Sequence, residues 1–137
     1  MPYGCRRTAL FLGMFFVWFA VTGCGGKSTS TVCKLTAINV FPRIATVDHT
    51  AVAPGNTQHF DAFVATATPG CAVTLSNLTT ATWSVSDTTN VSISNVHDAT
   101  YSTATCNGAT TGAATVTATV PAGDGTNVVN TAALTCN

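Results

Sequence analysis

Residues 113–120 read AATVTATV, and this stretch decides the fold class of the chain. Its apolar residues Val116, Ala118 and Val120 alternate with three threonines. Because successive side chains of a β-strand point to opposite faces of the sheet, the alternation predicts a strand with one buried face. Valine and threonine are stiff at χ1 and suit a pleated surface. The stretch therefore predicts an all-β domain.

Segments of the same kind recur along the chain, with turn residues between them roughly every 8 to 15 residues. The first is interrupted by Pro42, and proline belongs at a sheet edge or a kink. About seven strands in about 100 residues are typical of a β-sandwich. The predicted strands are residues 35–47 with the interruption, 57–68, 80–86, 91–94, 101–106, 113–120 and 128–136.

The inward-facing positions of these strands predict the hydrophobic core. Trp83 shares a face with Val85, which places the indole in the core. The alternative for Trp83 is an exposed platform on which a sugar ring stacks. The predicted core residues are Ile38, Val40, Phe60, Ala62, Val64, Trp83, Val85, Val91, Ile93, Val116, Ala118, Val120, Val128 and Leu134.

Three motifs, in this order, resemble the bacterial immunoglobulin-like domain, group 2. They are APGNTQHF at 53–60, ATWSVSD at 81–87, and Gly112 followed by AATVTATV. The resemblance covers residues 35–137 and implies an immunoglobulin-like β-sandwich. Domains of this family occur in bacterial surface proteins and adhesins, so adhesion is implied here by analogy. The chain departs from the family in a longer segment around 71–78 and in its cysteines.

The N-terminal residues 1–23 have the three parts of a secretory signal, with Arg6 and Arg7 preceding a mostly apolar run at 10–21. The run ends in Val21-Thr22-Gly23-Cys24, which resembles the lipobox of bacterial lipoproteins. That resemblance implies that Cys24 is acylated and becomes the first residue of the mature protein. Residues 24–34 are then the lipidated cysteine and a Gly/Ser/Thr-rich flexible tether.

Other interpretations of the N-terminal segment are weaker. A transmembrane helix needs about 20 apolar residues, and the run at 10–21 is shorter. A cleaved signal without lipid leaves the position of Cys24 unexplained, and the residues around Arg6-Arg7 lack most of the twin-arginine pattern. We therefore expect an exported protein held on a membrane of the bacterial cell envelope. The resemblance to lipoproteins also implies the outer rather than the inner membrane, because Gly25, not an aspartate, follows the cysteine and the sorting rule of some Gram-negative bacteria depends on this residue.

The cysteines divide between the signal and the domain. Cys5 lies in the signal and Cys24 at the lipidation site, which leaves an even number in the exported part. Such a set usually forms disulfides. Zinc is the competing use, but the spacings contain no C-x-x-C pair. The four remaining cysteines are Cys33, Cys71, Cys106 and Cys136.

The sequence alone leaves three pairings of these cysteines open. The strand order of an immunoglobulin-like sandwich implies one of them. In that order the first strand starts beside the end of the second, which places Cys33 near Cys71. The fifth strand ends beside the end of the last, which places Cys106 near Cys136. The resemblance therefore implies the disulfides Cys33–Cys71 and Cys106–Cys136.

The charge balance argues against a nucleic-acid partner. After removal of the signal, three basic residues remain against five aspartates, a net charge of −2, and the basic residues are not clustered. Binding to phosphate backbones requires a basic footprint. We therefore expect no nucleic acid among the partners, which are predicted to be the membrane and a cell-surface protein or polysaccharide.

Three His/Asp pairs are the candidates for chemistry. His59 and Asp61 are two residues apart on a strand and share a face, and Asp48-His49 and His97-Asp98 are adjacent in sequence. Such pairs can bind a metal or orient a base, but the alternation favours ordinary solvent-facing residues. The loop around Asp124 offers one carboxylate, too few for calcium, and favours a tight turn. We expect no catalytic residue, metal or cofactor.

These observations favour a non-catalytic, lipid-anchored protein of the cell envelope, with residues 35–137 as a structural or adhesion module. The alternative is a small lipoprotein that binds carbohydrate or protein through the loops at one end of the sandwich.

Overall fold

The computed structural model describes residues 33–71 and 77–137. All regular structure in these residues is β-strand, which confirms the all-β prediction. No helix in these ranges is long and apolar enough to cross a membrane. The strands are β1 (Leu35–Phe41), β2 (Ile44–Val47), β3 (Thr57–His59), β4 (Asp61–Ala67), β5 (Thr82–Val85), β6 (Val91–Ile93), β7 (Thr103–Cys106), β8 (Ala114–Pro121) and β9 (Asn127–Cys136).

The strands form three hydrogen-bonded sheets, with the orders β1-β4, β3-β7-β6 and β2-β9-β8-β5. Only Phe60 separates β3 from β4, so the chain passes directly from one of the smaller sheets to the other. The alternating stretch at 113–120 becomes β8, which lies inside the four-stranded sheet between β9 and β5. The arrangement is consistent with a β-sandwich.

The structure has more strands than the predicted seven because two predicted strands are each divided between sheets. Residues 35–47 form β1, which pairs antiparallel with β4, and β2, which pairs parallel with β9. Pro42 lies at the division, where its missing N–H would break a ladder. Residues 57–68 divide at Phe60, whose side chain is fully buried and whose N–H donates to the carbonyl of Ser102 over 3.0 Å.

Most of the predicted core is confirmed. Buried side chains from all three sheets form one cluster, which includes Phe60, Trp83, Val116 and Leu134. Val85, Ile93 and Val128 are partly buried and pack against this cluster. Val64 is half-buried, so its prediction as a core residue was too strong. The predicted residues that are buried are Ile38, Val40, Phe60, Ala62, Trp83, Val91, Val116, Ala118, Val120 and Leu134.

The register of β1 and β4 defines two ends of the domain. Leu35 pairs with Ala67 where the chain enters, and Phe41 pairs with Asp61 at the other end of β1. The β8–β9 hairpin lies at the entry end, because the N–H of Leu35 donates to the carbonyl of Ala122 over 2.9 Å. We call this the tether end. The opposite or far end lies about 20 Å away along the strands.

Candidate functional site

A polar cluster forms where β3 meets β4, and we call it the His59 cluster (His59, Asp61, Asn77, Ser102 and Thr103). The Nε2 atom of His59 lies 3.1 Å from Oδ1 of Asp61, and Asn77 donates a side-chain N–H to the same carboxylate oxygen. The other ring nitrogen, Nδ1, lies 3.3 Å from Oγ1 of Thr103 and 3.4 Å from Oγ of Ser102. The imidazole is therefore held between a carboxylate and two hydroxyls.

Strand pairing and one strained residue assemble this cluster. His59 pairs with Thr103 across the β3–β7 ladder, so their side chains are neighbours on one face. Ser102 precedes β7 and has a positive φ of 58°, a conformation uncommon outside glycine. Its N–H donates to the carbonyl of Ser94 over 2.9 Å, while its carbonyl accepts from Phe60. These two bonds hold the left-handed turn in place.

Asp61, His59 and Ser102 provide the carboxylate, imidazole and hydroxyl of a nucleophilic triad. Ser102, however, is not placed to attack a substrate. Its side chain is fully buried, and its hydroxyl donates to the carbonyl of Tyr101 over 2.6 Å. A nucleophile must reach the substrate and pass its proton to the base. The contacts of the cluster instead fix the orientation of His59, which can form hydrogen bonds at the surface.

His59 also lines a surface cleft with a volume of about 430 Å³, within the range of small-ligand sites. Two loops form part of the wall: Ala53 and Pro54 lie between β2 and β3, and Ala99 and Thr100 lie between β6 and β7. The strand residues Thr57, His59 and Thr103 complete it. The cleft therefore combines small apolar surfaces with hydroxyl groups and one imidazole.

Of the three predicted His/Asp pairs, the structure joins His59 and Asp61 by a hydrogen bond. His97 instead stacks on Tyr101, with ring centroids 4.6 Å apart, and His49 contacts the backbone carbonyl of Asn137. In residues 33–71 and 77–137, no three His, Cys, Asp or Glu side chains are grouped as metal ligands.

Three aspartates close turns through the same Asp-x-Thr pattern. Asp48, Asp98 and Asp124 each accept from the N–H and the hydroxyl of the threonine two residues later. Hydrogen bonds from Thr50 and Thr100 lower the pKa of Asp48 and Asp98 below the usual range. The loop predicted as a tight turn at Asp124 follows this pattern, with Gly123 and Gly125 at positive φ.

Asp124 also pairs with Lys34, whose Nζ lies 2.7 Å from its Oδ2. The hydrogen bond from Lys34 is the largest cause of a pKa well below the usual aspartate range, followed by the bonds from Thr126. The Asp124 carboxylate therefore holds the β8–β9 hairpin against the start of β1.

Trp83 is a core residue, as predicted. It is 3% exposed, and its ring centroid lies 6.4 Å from that of Phe60. Its backbone is held by Asn95, whose amide oxygen accepts from the N–H of Trp83 over 2.7 Å while its amide nitrogen donates to the carbonyl over 2.9 Å. The side chain of Asn95 thereby makes the backbone hydrogen bonds of Trp83 at the edge of β5. The indole is enclosed and offers no platform to a sugar.

The structure contains two disulfides, Cys33–Cys71 and Cys106–Cys136, the partners that the resemblance implied. Their Cα atoms are 5.7 and 5.8 Å apart, within the range of bridged cysteines. Cys33 and Cys71 lie at the tether end, and Cys106 and Cys136 at the far end, where Cys136 pairs with Val47. Cys24, the predicted lipidation site, lies outside the described residues.

Several functional candidates carry no strong local signal in the sequence. Asn77 reaches Asp61 from a segment 16 residues away, and Ser102 and Thr103 reach His59 from more than 40 residues away. Only the alternation around His59 and Asp61 pointed to a polar surface here.

No protein-family model, curated protein or solved structure matches this chain. The resemblance to the bacterial immunoglobulin-like domain, group 2, therefore stays a prediction.

Proposed function

We propose that this protein is a non-catalytic, lipid-anchored module of the bacterial cell envelope, built on one immunoglobulin-like domain with a structural or adhesion role. The observation that carries the proposal is the pair of disulfides. Disulfides persist in oxidising compartments outside the cytoplasm. Residues 1–23 carry a secretory pattern that leads to the same compartment. Two unrelated parts of the chain thus agree on export.

The strand order supports the immunoglobulin-like assignment. In the constant-type immunoglobulin fold, the first, second, fifth and fourth strands form one sheet and the third, sixth and seventh form the other. Counting β3 and β4 as one strand, β1-β4 and β3-β7-β6 reproduce the first order, and β5, β8 and β9 reproduce the second. The extra strand β2 continues β1 onto the edge of the second sheet.

The direction of β1 supports a role in presenting a surface. A lipid on Cys24 would hold the tether end toward the membrane, because the tether enters at Leu35. β1 then runs away from the membrane, so Phe41, Asp61 and the His59 cluster lie farther out. A short Gly/Ser/Thr tether would give the domain a reach of about 25 Å.

The cleft beside His59 favours a second candidate, a small lipoprotein that binds carbohydrate or protein through its loops. Its wall includes Ala53, Pro54, Ala99 and Thr100 from two loops. A glycan array probed with the purified protein tests this candidate. A specific, saturable signal that Thr103→Val weakens would support binding in the cleft, and a signal unaffected by this change would exclude it.

Substitution of Cys24 tests the anchor. Two or three acyl chains anchor a protein stably, so the wild-type protein should sediment with membranes and enter detergent. Cys24→Ser should release the protein to the soluble fraction or leave the signal uncleaved. Cys5→Ser is the matched control and should leave both cleavage and membrane association unchanged. A Cys24→Ser protein that is cleaved yet stays on the membrane would exclude lipidation at this residue.

A further inference from the structure

Two phenylalanines form an aromatic pair on the outer face of β1 and β4. The ring centroids of Phe41 and Phe63 are 6.3 Å apart at an angle of 69°, an edge-to-face contact. Phe41 is 52% exposed, and Phe63 is half-buried. Their neighbours Val40 and Ala62 point the other way, into the core. The pair therefore places apolar ring surface at the solvent side of a well-packed sheet.

Planar polar side chains surround this pair. Asp61 lies directly opposite Phe41 in the β1–β4 register, and Asn39 lies opposite Phe63. Asn77 pairs with Phe63 through an isolated β-bridge. The guanidinium of Arg43 donates to Oδ1 of Asn39 over 3.1 Å. We call these residues, with Phe41 and Phe63, the aromatic face.

Hydrogen bonds hold the polar groups of the aromatic face in fixed positions yet leave part of their capacity unused. Within the described residues, Oδ1 of Asp61 accepts from His59 and Asn77, and Oδ2 makes no hydrogen bond. An amide carries two N–H donors and one acceptor oxygen, and among the described residues Asn39 and Asn77 each have amide groups left over for a ligand. Within residues 33–71 and 77–137, Arg43 likewise donates one side-chain hydrogen bond, to Asn39, and has five donors.

The charges on this face balance, since Arg43 and Asp61 contribute one charge of each sign. A charged ligand would meet one attractive and one repulsive group. A ligand with many hydroxyls meets both donors and acceptors and keeps its hydrogen bonds when it leaves water. The face of a sugar ring also carries C–H groups that pack on an aromatic ring. A neutral polyhydroxylated ring therefore fits both parts of the face.

We propose that the aromatic face is a binding site for a neutral carbohydrate. One sugar ring stacks on the exposed ring of Phe41, beside Phe63, and hydrogen-bonds through its hydroxyls to Asp61, Asn77 and Asn39. This site is distinct from the loop-lined cleft and goes beyond the proposed role in the envelope. It does not depend on the lipid anchor.

The test uses the full chain in a detergent that has no sugar headgroup, followed by two-dimensional amide NMR. The probes are maltotetraose, cellotetraose and tri-N-acetylchitotriose, with tetralysine and a heparin tetrasaccharide as charged controls. We expect at least one neutral sugar to shift the amide signals of Asn39, Phe41, Phe63 and Asn77 in a saturable way, and the charged probes to leave them unmoved.

Three variants locate the site, and two of them are matched controls for Phe41→Ala. Phe41→Ala should weaken binding about tenfold, the size expected for loss of an aromatic contact, whereas Phe41→Tyr should retain it. Val129→Ala removes an equally exposed apolar side chain, 54% against 52%, from β9 and should leave the affinity unchanged. The proposal is wrong if none of the three neutral sugars binds, if only the charged probes bind, if the shifts map to the cleft instead, or if Phe41→Ala and Val129→Ala have the same effect.

Discussion

The two disulfides close chain segments of similar length but lie in different surroundings. Cys106 and Cys136 are each 1% exposed and belong to the hydrophobic core, and we call their disulfide the core bridge. Cys33 is exposed and Cys71 is half-buried, and we call theirs the tether-end bridge. The sequence separations are 30 and 38 residues. Chain entropy alone therefore predicts nearly equal stabilisation, and any difference must come from the folded state.

The bridges also differ in what they connect. The core bridge joins β7 of the three-stranded sheet to β9 of the four-stranded sheet. The tether-end bridge joins the residues just outside β1 and β4, two strands that are already hydrogen-bonded to each other. A crosslink between sheets holds together strands that share no backbone hydrogen-bond ladder. The core bridge should therefore contribute more to the free energy of unfolding.

Removing the core bridge should have the largest effect. We expect the double variant Cys106→Ala/Cys136→Ala to lose about 5 kcal/mol, the upper end of the range for native disulfides, because it also leaves a cavity in the core. Urea unfolding followed by circular dichroism measures the change. If the double variant that lacks the tether-end bridge loses as much or more, the distinction between the bridges is wrong.

Trp83 tests how much of the core depends on packing rather than on the bridges. Trp83→Ala should cost about 3 to 5 kcal/mol, as other large-to-small core changes do. Among the described residues, the indole N–H of Trp83 has no hydrogen-bond partner. Trp83→Phe removes that N–H and keeps an aromatic ring, so it should cost much less. Urea unfolding measures this loss. A value below about 1 kcal/mol for Trp83→Ala lies in the range of surface substitutions and would contradict the place of Trp83 in the core.

The tether-end bridge should contribute less than the core bridge. We expect Cys33→Ala/Cys71→Ala to lose about 3 kcal/mol, since an exposed and a half-buried cysteine add less packing to the chain-entropy contribution than two buried ones. Non-reducing peptide mapping of the wild-type protein establishes the pairing before the comparison. A peptide that links Cys71 to Cys106 would contradict both bridges and the strand order on which their pairing rests.

The sequence predicted strands well where a strand stays in one sheet. The alternation at 113–120 became β8, with Val116, Ala118 and Val120 buried. At Pro42 the sequence predicted the interruption but not the change of sheet, and at Phe60 it predicted one continuous strand, because period-two alternation does not say which strand is the partner. The partner is set by pairings between residues far apart in the sequence, such as Ile44 with Ala133.

The core was under-predicted at small and polar residues. Ala81, Ala104, Ala114 and Ala132 are buried although alanine carries little hydrophobic signal. Tyr101 is buried because its hydroxyl reaches the carbonyl of Ala81 over 2.5 Å, a long-range partner that no local pattern reveals. Ser102 is buried for the same reason, since its hydroxyl is satisfied by a backbone carbonyl.

The candidate sites were predictable only in part. The period of two placed His59 and Asp61 on one face, and they are hydrogen-bonded there. Asn77 and Thr103 joined them through strand pairing and loop position, which depend on the tertiary fold. Phe41 and Phe63 appear unrelated in the sequence, because they meet only through the β1–β4 register.

The smallest expected effect is a loss of stability at acid pH, to which one aspartate at each end of the domain contributes. The folded-state pKa of Asp124 at the tether end and of Asp48 at the far end is lowered, by Lys34 with Thr126 and by Thr50 respectively. A lowered pKa stabilises the folded state above the unfolded pKa of about 4, and this contribution is lost as pH falls through the folded pKa. The free energy of unfolding should therefore decrease from about pH 4 downward.

Paired substitutions separate the two ends in this acid range. Asp124→Asn should flatten the pH dependence more than Asp48→Asn, because Asp124 has the larger depression and the only lysine partner of the two. Added salt should reduce the part of the pH dependence that is due to Lys34, since screening acts on the exposed ion pair. The part that is due to the threonine hydrogen bonds should remain. Urea unfolding between about pH 4 and pH 2 at low and high salt measures both. Equal slopes for the two variants would show that the Lys34–Asp124 pair adds nothing to the turn that Thr126 closes.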